Sequence, residues 1–120
     1  MAFVSYIEFN VSNTKKSAEF YKQVFGWDAQ QFSKENDYWI VAHGEAAGID
    51  AGIQKAPDGL GRTVAVITVP DLDEVWAKAL QAGAKVALEK FAIPTVGYAA
   101  YFIDPDGIVI GIHQYDEKAK

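Results

Sequence analysis

One run of local signals occurs twice in this chain, and that repetition limits its folds more than any other feature. An alternating strand pattern ending at Val11 leads through a cap residue into an amphipathic stretch closed by Gly26, and an apolar run ending at Val69 leads into another closed by Gly83. The spacings nearly agree, 15 residues from Val11 to Gly26 and 14 from Val69 to Gly83. Further strand-like runs follow each stretch, so both halves read βαβββ. Two such modules in 120 residues fit a single domain, and facing each other they would enclose a cavity of the kind that binds small molecules.

Bulk properties narrow the partners. Half the residues are apolar and 13% are aromatic, which is the composition of a globular protein. A formal net charge of −5 with no Lys/Arg cluster opposes long-range attraction to nucleic acid or anionic lipid. The absence of cysteine removes disulfides, thiolate nucleophiles and cysteine zinc sites. The start, Met1-Ala2-Phe3-Val4-Ser5, does not read as a signal peptide, and no apolar run reaches the roughly 18 residues of a membrane span. The expected location is cytoplasmic.

Phe3 to Val11 alternates, with Phe3, Ser5, Ile7, Phe9 and Val11 on one face and Val4, Tyr6, Glu8 and Asn10 on the other. Asn13 caps a helix predicted over about Thr14 to Phe25. Strands are predicted at 27 to 33, 38 to 43 and 49 to 54, with a turn at Lys34-Glu35-Asn36-Asp37. Pro57, Gly59 and Gly61 mark a linker over about 55 to 62, between module one at about 1 to 56 and module two at about 63 to 120. In the second module Thr63 to Val69 reads as a strand. Asp71 with Glu74 resembles a capping box, and Leu72, Val75, Trp76, Ala79 and Leu80 recur on one helical face ending near Gly83. Strands at 85 to 88, 98 to 103 and 108 to 114 follow. The last two form a hairpin through Asp104-Pro105-Asp106-Gly107.

Three segments carry a family resemblance. Phe20-Tyr21-Lys22-Gln23-Val24-Phe25-Gly26-Trp27, Val69-Pro70-Asp71-Leu72-Asp73 and the Asp104-Pro105-Asp106-Gly107 hairpin resemble, in order, the first helix end, the second helix entry and the final hairpin of the vicinal oxygen chelate superfamily. That group includes glyoxalase I, bleomycin resistance protein and the extradiol dioxygenases. The resemblance implies an α+β fold of two βαβββ modules forming a cupped mixed sheet, and a homodimer. Family enzymes commonly hold a divalent metal through His and Glu side chains in the cup. Here the corresponding positions fall on Tyr6, Val64 and Gly111, with Asp50 or Gly52 at the fourth. The strings Ile7-Glu8-Phe9 and Gly111-Ile112-His113 resemble a metal-free subgroup, so no metal or other cofactor is expected.

The resemblance makes the Tyr6, Glu8 face the concave one. Glu8 is then either a general base or acceptor, or a carboxylate paired or solvated at the open side of the sheet. His113 shares a face with Gly111 and Val109; it is either the acid/base partner of Glu8 or a strand-end residue without a chemical task. Tyr6 is a hydrogen-bond donor to a ligand or an amphipathic wall residue. Gly111 makes room for a guest or relieves packing. Trp39, Tyr98 and Tyr101 divide between ligand-binding wall and core, and Val64 lines the wall. Trp76 reads as core and His43 as a residue of a solvated turn. No phosphate loop and no Ser, His, Asp set is present. The expected function is metal-free binding of a small, largely apolar or aromatic molecule. The alternatives are a metal-free lyase or isomerase acting on a carbonyl compound through Glu8 and His113, and a metal-dependent glyoxalase-like enzyme.

Overall fold

A computed structural model describes residues 1–120 as ten elements. They are β1 (Phe3–Val11), α1 (Thr14–Phe25), β2 (Gln30–Ser33), β3 (Tyr38–Val41), β4 (Asp50–Lys55), β5 (Arg62–Thr68), α2 (Leu72–Gln81), β6 (Lys85–Ile93), β7 (Gly97–Ile103) and β8 (Val109–Tyr115). The class is α+β and the order is βαβββ twice. The chain divides into two compact units, Tyr6–Val64, and Ala65–Lys120 together with Met1–Ser5.

In the first unit the strand order is β2-β3-β4-β1, with β1 and β4 parallel and the other pairs antiparallel. The connection from β1 to its parallel neighbour β4 includes α1, which lies on one face of the sheet. Asn13 starts that helix by accepting the Lys16 N–H at 3.0 Å, and Gly26 stops it in the left-handed region at φ 72°, its N–H bonded to the Lys22 carbonyl. Ala18 and Tyr21 of the helix pack with Ile7, Phe9, Val11, Trp27 and Trp39 around buried Val41, Ala51 and Ile53. Ring contacts among Phe9, Tyr21 and Trp27 tighten this face.

The second unit repeats the plan as β5-β8-β7-β6. Asp71 accepts the Glu74 N–H at 3.1 Å, and Leu72, Val75 and Trp76 meet Val69, Ala100, Ile112, Tyr98 and Phe102. The Gln114 side chain accepts the Leu72 N–H at 2.8 Å and so ties β8 to the helix start. In the β7–β8 hairpin, Asp104 Oδ1 accepts from the N–H groups of Asp106 and Ile108, and Gly107 adopts φ 91°.

Three strand boundaries differ from the sequence reading by more than one residue. β2 begins at Gln30 rather than 27, because Trp27 and Ala29 fold back onto the core. β3 stops at Val41, because the His43 N–H turns to the Asp50 carboxylate at 3.0 Å. β6 runs to Ile93 rather than Leu88, since an edge strand accommodates Glu89 and Lys90 and pairs past them with register shifts.

Ile53 is fully buried. Ile53→Ala is expected to lower unfolding free energy by about 2–5 kcal/mol, the range for a large buried aliphatic truncated where the site cannot collapse. Urea denaturation measures it.

Candidate functional site

The face of the first sheet opposite α1 is polar. Period-two geometry sends Tyr6, Glu8 and Asn10 away from the helix, and the parallel register sets Asp50 beside Tyr6, Gly52 beside Glu8 and Gln54 beside Asn10. The antiparallel register then brings Tyr38 opposite Gln54. These strands collect two carboxylates, two phenols and two amides from three separate stretches of the sequence.

Glu8 is only 4% exposed. A buried carboxylate is costly unless hydrogen-bonded, and the Tyr38 hydroxyl donates to its Oε2 at 2.7 Å. The Tyr6 and Tyr38 hydroxyls lie 2.9 Å apart, so Tyr6, Tyr38 and Glu8 form a continuous chain. Alongside it the Gln54 amide donates to Asn10 Oδ1 at 2.8 Å. Burial, then the Glu8 charge, pushes the Tyr38 phenol far above its usual range. Burial is also the main cause that carries Tyr6 up to about 12, against the opposing effect of the Tyr38 hydrogen bond. Both tyrosines are therefore neutral donors and acceptors at physiological pH.

Gly52 makes the arrangement possible. A Cβ there would collide with the Tyr38 hydroxyl and come within 2.6 Å of the Tyr6 oxygen. The two rings lean across a backbone that carries no side chain. Asp50, at the neighbouring position, accepts the His43 N–H and stands 3.7 Å from His43 Nε2. His43 itself is exposed and contacts the Ala46 carbonyl at 2.7 Å.

The remaining residues singled out in the sequence are placed differently. Trp39 faces the α1 core and donates to Asp37 at 3.2 Å; it also borders a hollow of about 530 Å³ whose lining includes Lys15, Asp37 and Lys55. Val64 is buried at the end of the first unit. In the second unit, Gly111 lies under Tyr101, whose ring would stand 2.8 Å from an added Cβ, and beside Val66. Tyr101 runs parallel to Phe91, ring centres 6.3 Å apart. Tyr98 is on the α2 side, with the Lys90 ammonium 4.7 Å above its ring. His113 is 8% exposed, edge-on to Tyr115 at 4.6 Å, and burial lowers its pKa so that the ring is neutral at neutral pH. Tyr6 and Glu8 are thus joined directly, while Trp39 and Tyr98 belong to helix-packed faces.

Tyr38 is the site residue that sequence reasoning passed over. Tyr38 and Trp39 are adjacent and alternate in direction, so choosing between them requires the β3–β4 register. The available signal was the alternation of Asp50, Gly52 and Gln54 against Ala51 and Ile53, which marks the side that Tyr38 shares.

Residues 4–112 match the family model of the Glyoxalase/Bleomycin resistance protein/Dioxygenase superfamily. The chain belongs to this superfamily, the vicinal oxygen chelate proteins. Among superfamily relatives, it is 26% identical over 114 residues to the metallothiol transferase FosB of Shouchella clausii, covering 92% of this chain and 78% of that protein. Its fold resembles the Mn(II)-bound glyoxalase of Novosphingobium aromaticivorans, with TM-score 0.67 and 22% identity over 99% of this chain and 41% of that one. A superfamily member from Vibrio splendidus 12B01 gives TM-score 0.67 and 16% identity over 97% of this chain and all of that one.

The donor set does not fit a resident metal of the superfamily type. Val64 and Gly111 offer no side-chain donor, Tyr6 is a protonated phenol already bonded to Tyr38, and no three His, Asp or Glu side chains converge.

Two outcomes follow for stability. Tyr6 has a folded pKa of about 12 against an ordinary 10.0, so the folded state holds its proton longer; the contribution is complete below the unfolded pKa and is lost as pH rises through the folded one. Alkaline denaturation curves of Tyr6→Phe are expected to decline less steeply in that window. His113 is depressed, so its contribution is present above the ordinary 6.5 and lost as pH falls through its folded pKa. Its ring protons, followed by NMR, are expected to titrate below that value. Separately, Gly52→Ala is expected to cost about 1–3 kcal/mol by denaturant titration, because the added methyl displaces the two hydroxyls and breaks the Tyr38 hydrogen bond to the buried Glu8 carboxylate.

Proposed function

We propose that this chain is a glyoxalase/bleomycin-resistance-like binding protein that holds a small, largely apolar or aromatic molecule without a metal. The observation that carries the reading is the Tyr6, Tyr38, Glu8 chain on the helix-free face of the first unit. It ends on a half-buried tyrosine, which supplies both an aromatic surface and a polar anchor. Gly52 keeps the neighbouring backbone open to that ring pair.

Support from relatives is of the same kind. Family membership makes a container for small molecules the natural frame; the relatives include a Mn(II)-bound glyoxalase and a metallothiol transferase, and the metal-free part of the reading draws on the fact that no three His, Asp or Glu side chains converge here. The reading keeps the homodimer that the resemblance implies; sedimentation analysis tests it.

The reading is tested by titrating uniformly labelled protein with small aromatic probes such as indole and 2-naphthol. Backbone shifts are expected at Tyr6 to Asn10, Tyr38 and Asp50 to Gln54, with Tyr6→Ala weakening binding roughly tenfold, the loss of one well-packed aromatic contact. Added Mn(II) or Zn(II) is expected to leave affinity unchanged. Shifts confined to other strands would contradict the site, and a stoichiometric metal in the purified protein would contradict the metal-free part.

A further inference from the structure

The hydrogen-bond chain has a direction, and the direction selects a ligand class. A carboxylate accepts only, so the single hydroxyl proton of Tyr38 is committed to Glu8. Tyr38 can then meet Tyr6 only as an acceptor, which makes Tyr6 the donor across the 2.9 Å contact. Tyr6 has spent its one proton inside the protein. What its oxygen retains for a guest is lone-pair capacity.

The surroundings of Tyr6 favour the same sign. Its register neighbour is Asp50, and the charges of both Glu8 and Asp50 act on its hydroxyl. The titratable groups beside it are Tyr38, Glu8 and Asp50, with His43 reaching it only through Asp50. No lysine or arginine is among the groups acting on this hydroxyl. An anion or a carbonyl oxygen brought to Tyr6 would meet lone pairs and negative charge without a proton to share.

Resting on the small-molecule reading above, we infer that the guest presents an N–H or O–H donor to the Tyr6 oxygen, with an ammonium group on an aromatic body as the preferred form. The chain is cooperative, since each bond polarises the next, so Glu8 sharpens the acceptor character of the Tyr6 oxygen through Tyr38. Glu8 and Tyr38 are positioning residues in this respect, and Tyr6 is the contact.

The test uses four probes of one size and different polarity, benzylammonium, benzyl alcohol, acetophenone and benzoate, with affinities measured by NMR titration of the full chain. Benzylammonium is expected to bind tightest, benzyl alcohol next, acetophenone about tenfold more weakly than benzylammonium, and benzoate weakest. In Tyr6→Phe the preference for benzylammonium over acetophenone is expected to collapse towards one. Tyr38→Phe keeps the ring but frees the Tyr6 proton, so acetophenone is expected to bind more tightly to it than to the parent; loss of folding alone would not produce such a gain. Acetophenone or benzoate binding best to the parent would overturn the donor inference while leaving the small-molecule reading intact. Survival of the benzylammonium preference in Tyr6→Phe together with its loss in Asp50→Asn would reduce it to surface charge and also overturn it. Failure of all four probes would remove both.

Discussion

Everything distinctive about the first unit depends on which way the side chains of β1 face. Ile7, Phe9 and Val11, each partly buried, pack with Ala18, Tyr21 and the Trp27 ring on the α1 side, and full burial of such a side chain contributes roughly 1.5–3 kcal/mol, of which each gains a part. A slip of one residue would forfeit that burial. Because strand geometry alternates, fixing the apolar face also fixes Tyr6, Glu8 and Asn10 on the other. The same core contacts that stabilise the unit therefore aim its polar residues, and the site needs no separate scaffold.

Burying a carboxylate among those residues carries a large desolvation cost, and the strand register offsets it. Glu8 has only Gly52 beside it on β4, and that vacancy admits the Tyr38 hydroxyl from the next strand over. A side chain at position 52 would close the space, and a phenylalanine at 38 would fill it without a donor. Tyr6 completes the series at the half-exposed end. The result is a polar chain with its charge inside and a neutral phenol at its half-exposed end, the arrangement on which the proposed function draws.

Much of this was legible in the residues. The two helices announced themselves through Asn13 with Gly26 and Asp71 with the Leu72, Val75, Trp76 stripe, because caps and period are local properties. The final hairpin was equally local, built on Asp104 and Gly107. Glu8 stood out because a charge in a strictly alternating strand faces one definite side. What escaped was non-local. Tyr38 rather than Trp39 joins Glu8, and only the pairing of β3 with β4 decides between neighbouring aromatics. The role of Gly52 depends on two hydroxyls that arrive from β1 and β3. Gly111, read as room for a guest or as packing relief, has Tyr101 and Val66 over it, a packing relation that spans three strands and names partners that the spacing of no one strand gives.

The most direct test of the account is observation of the tyrosine hydroxyl protons themselves by NMR on protein labelled at the tyrosine rings. The account places two slowly exchanging protons among the six tyrosines, that of Tyr38 shifted strongly downfield by the carboxylate and coupled to Glu8, and that of Tyr6 giving a contact to the Tyr38 ring. Hydroxyl protons of both residues in fast exchange with water, with neither sensing Glu8→Gln, would contradict the chain on which the proposed function stands.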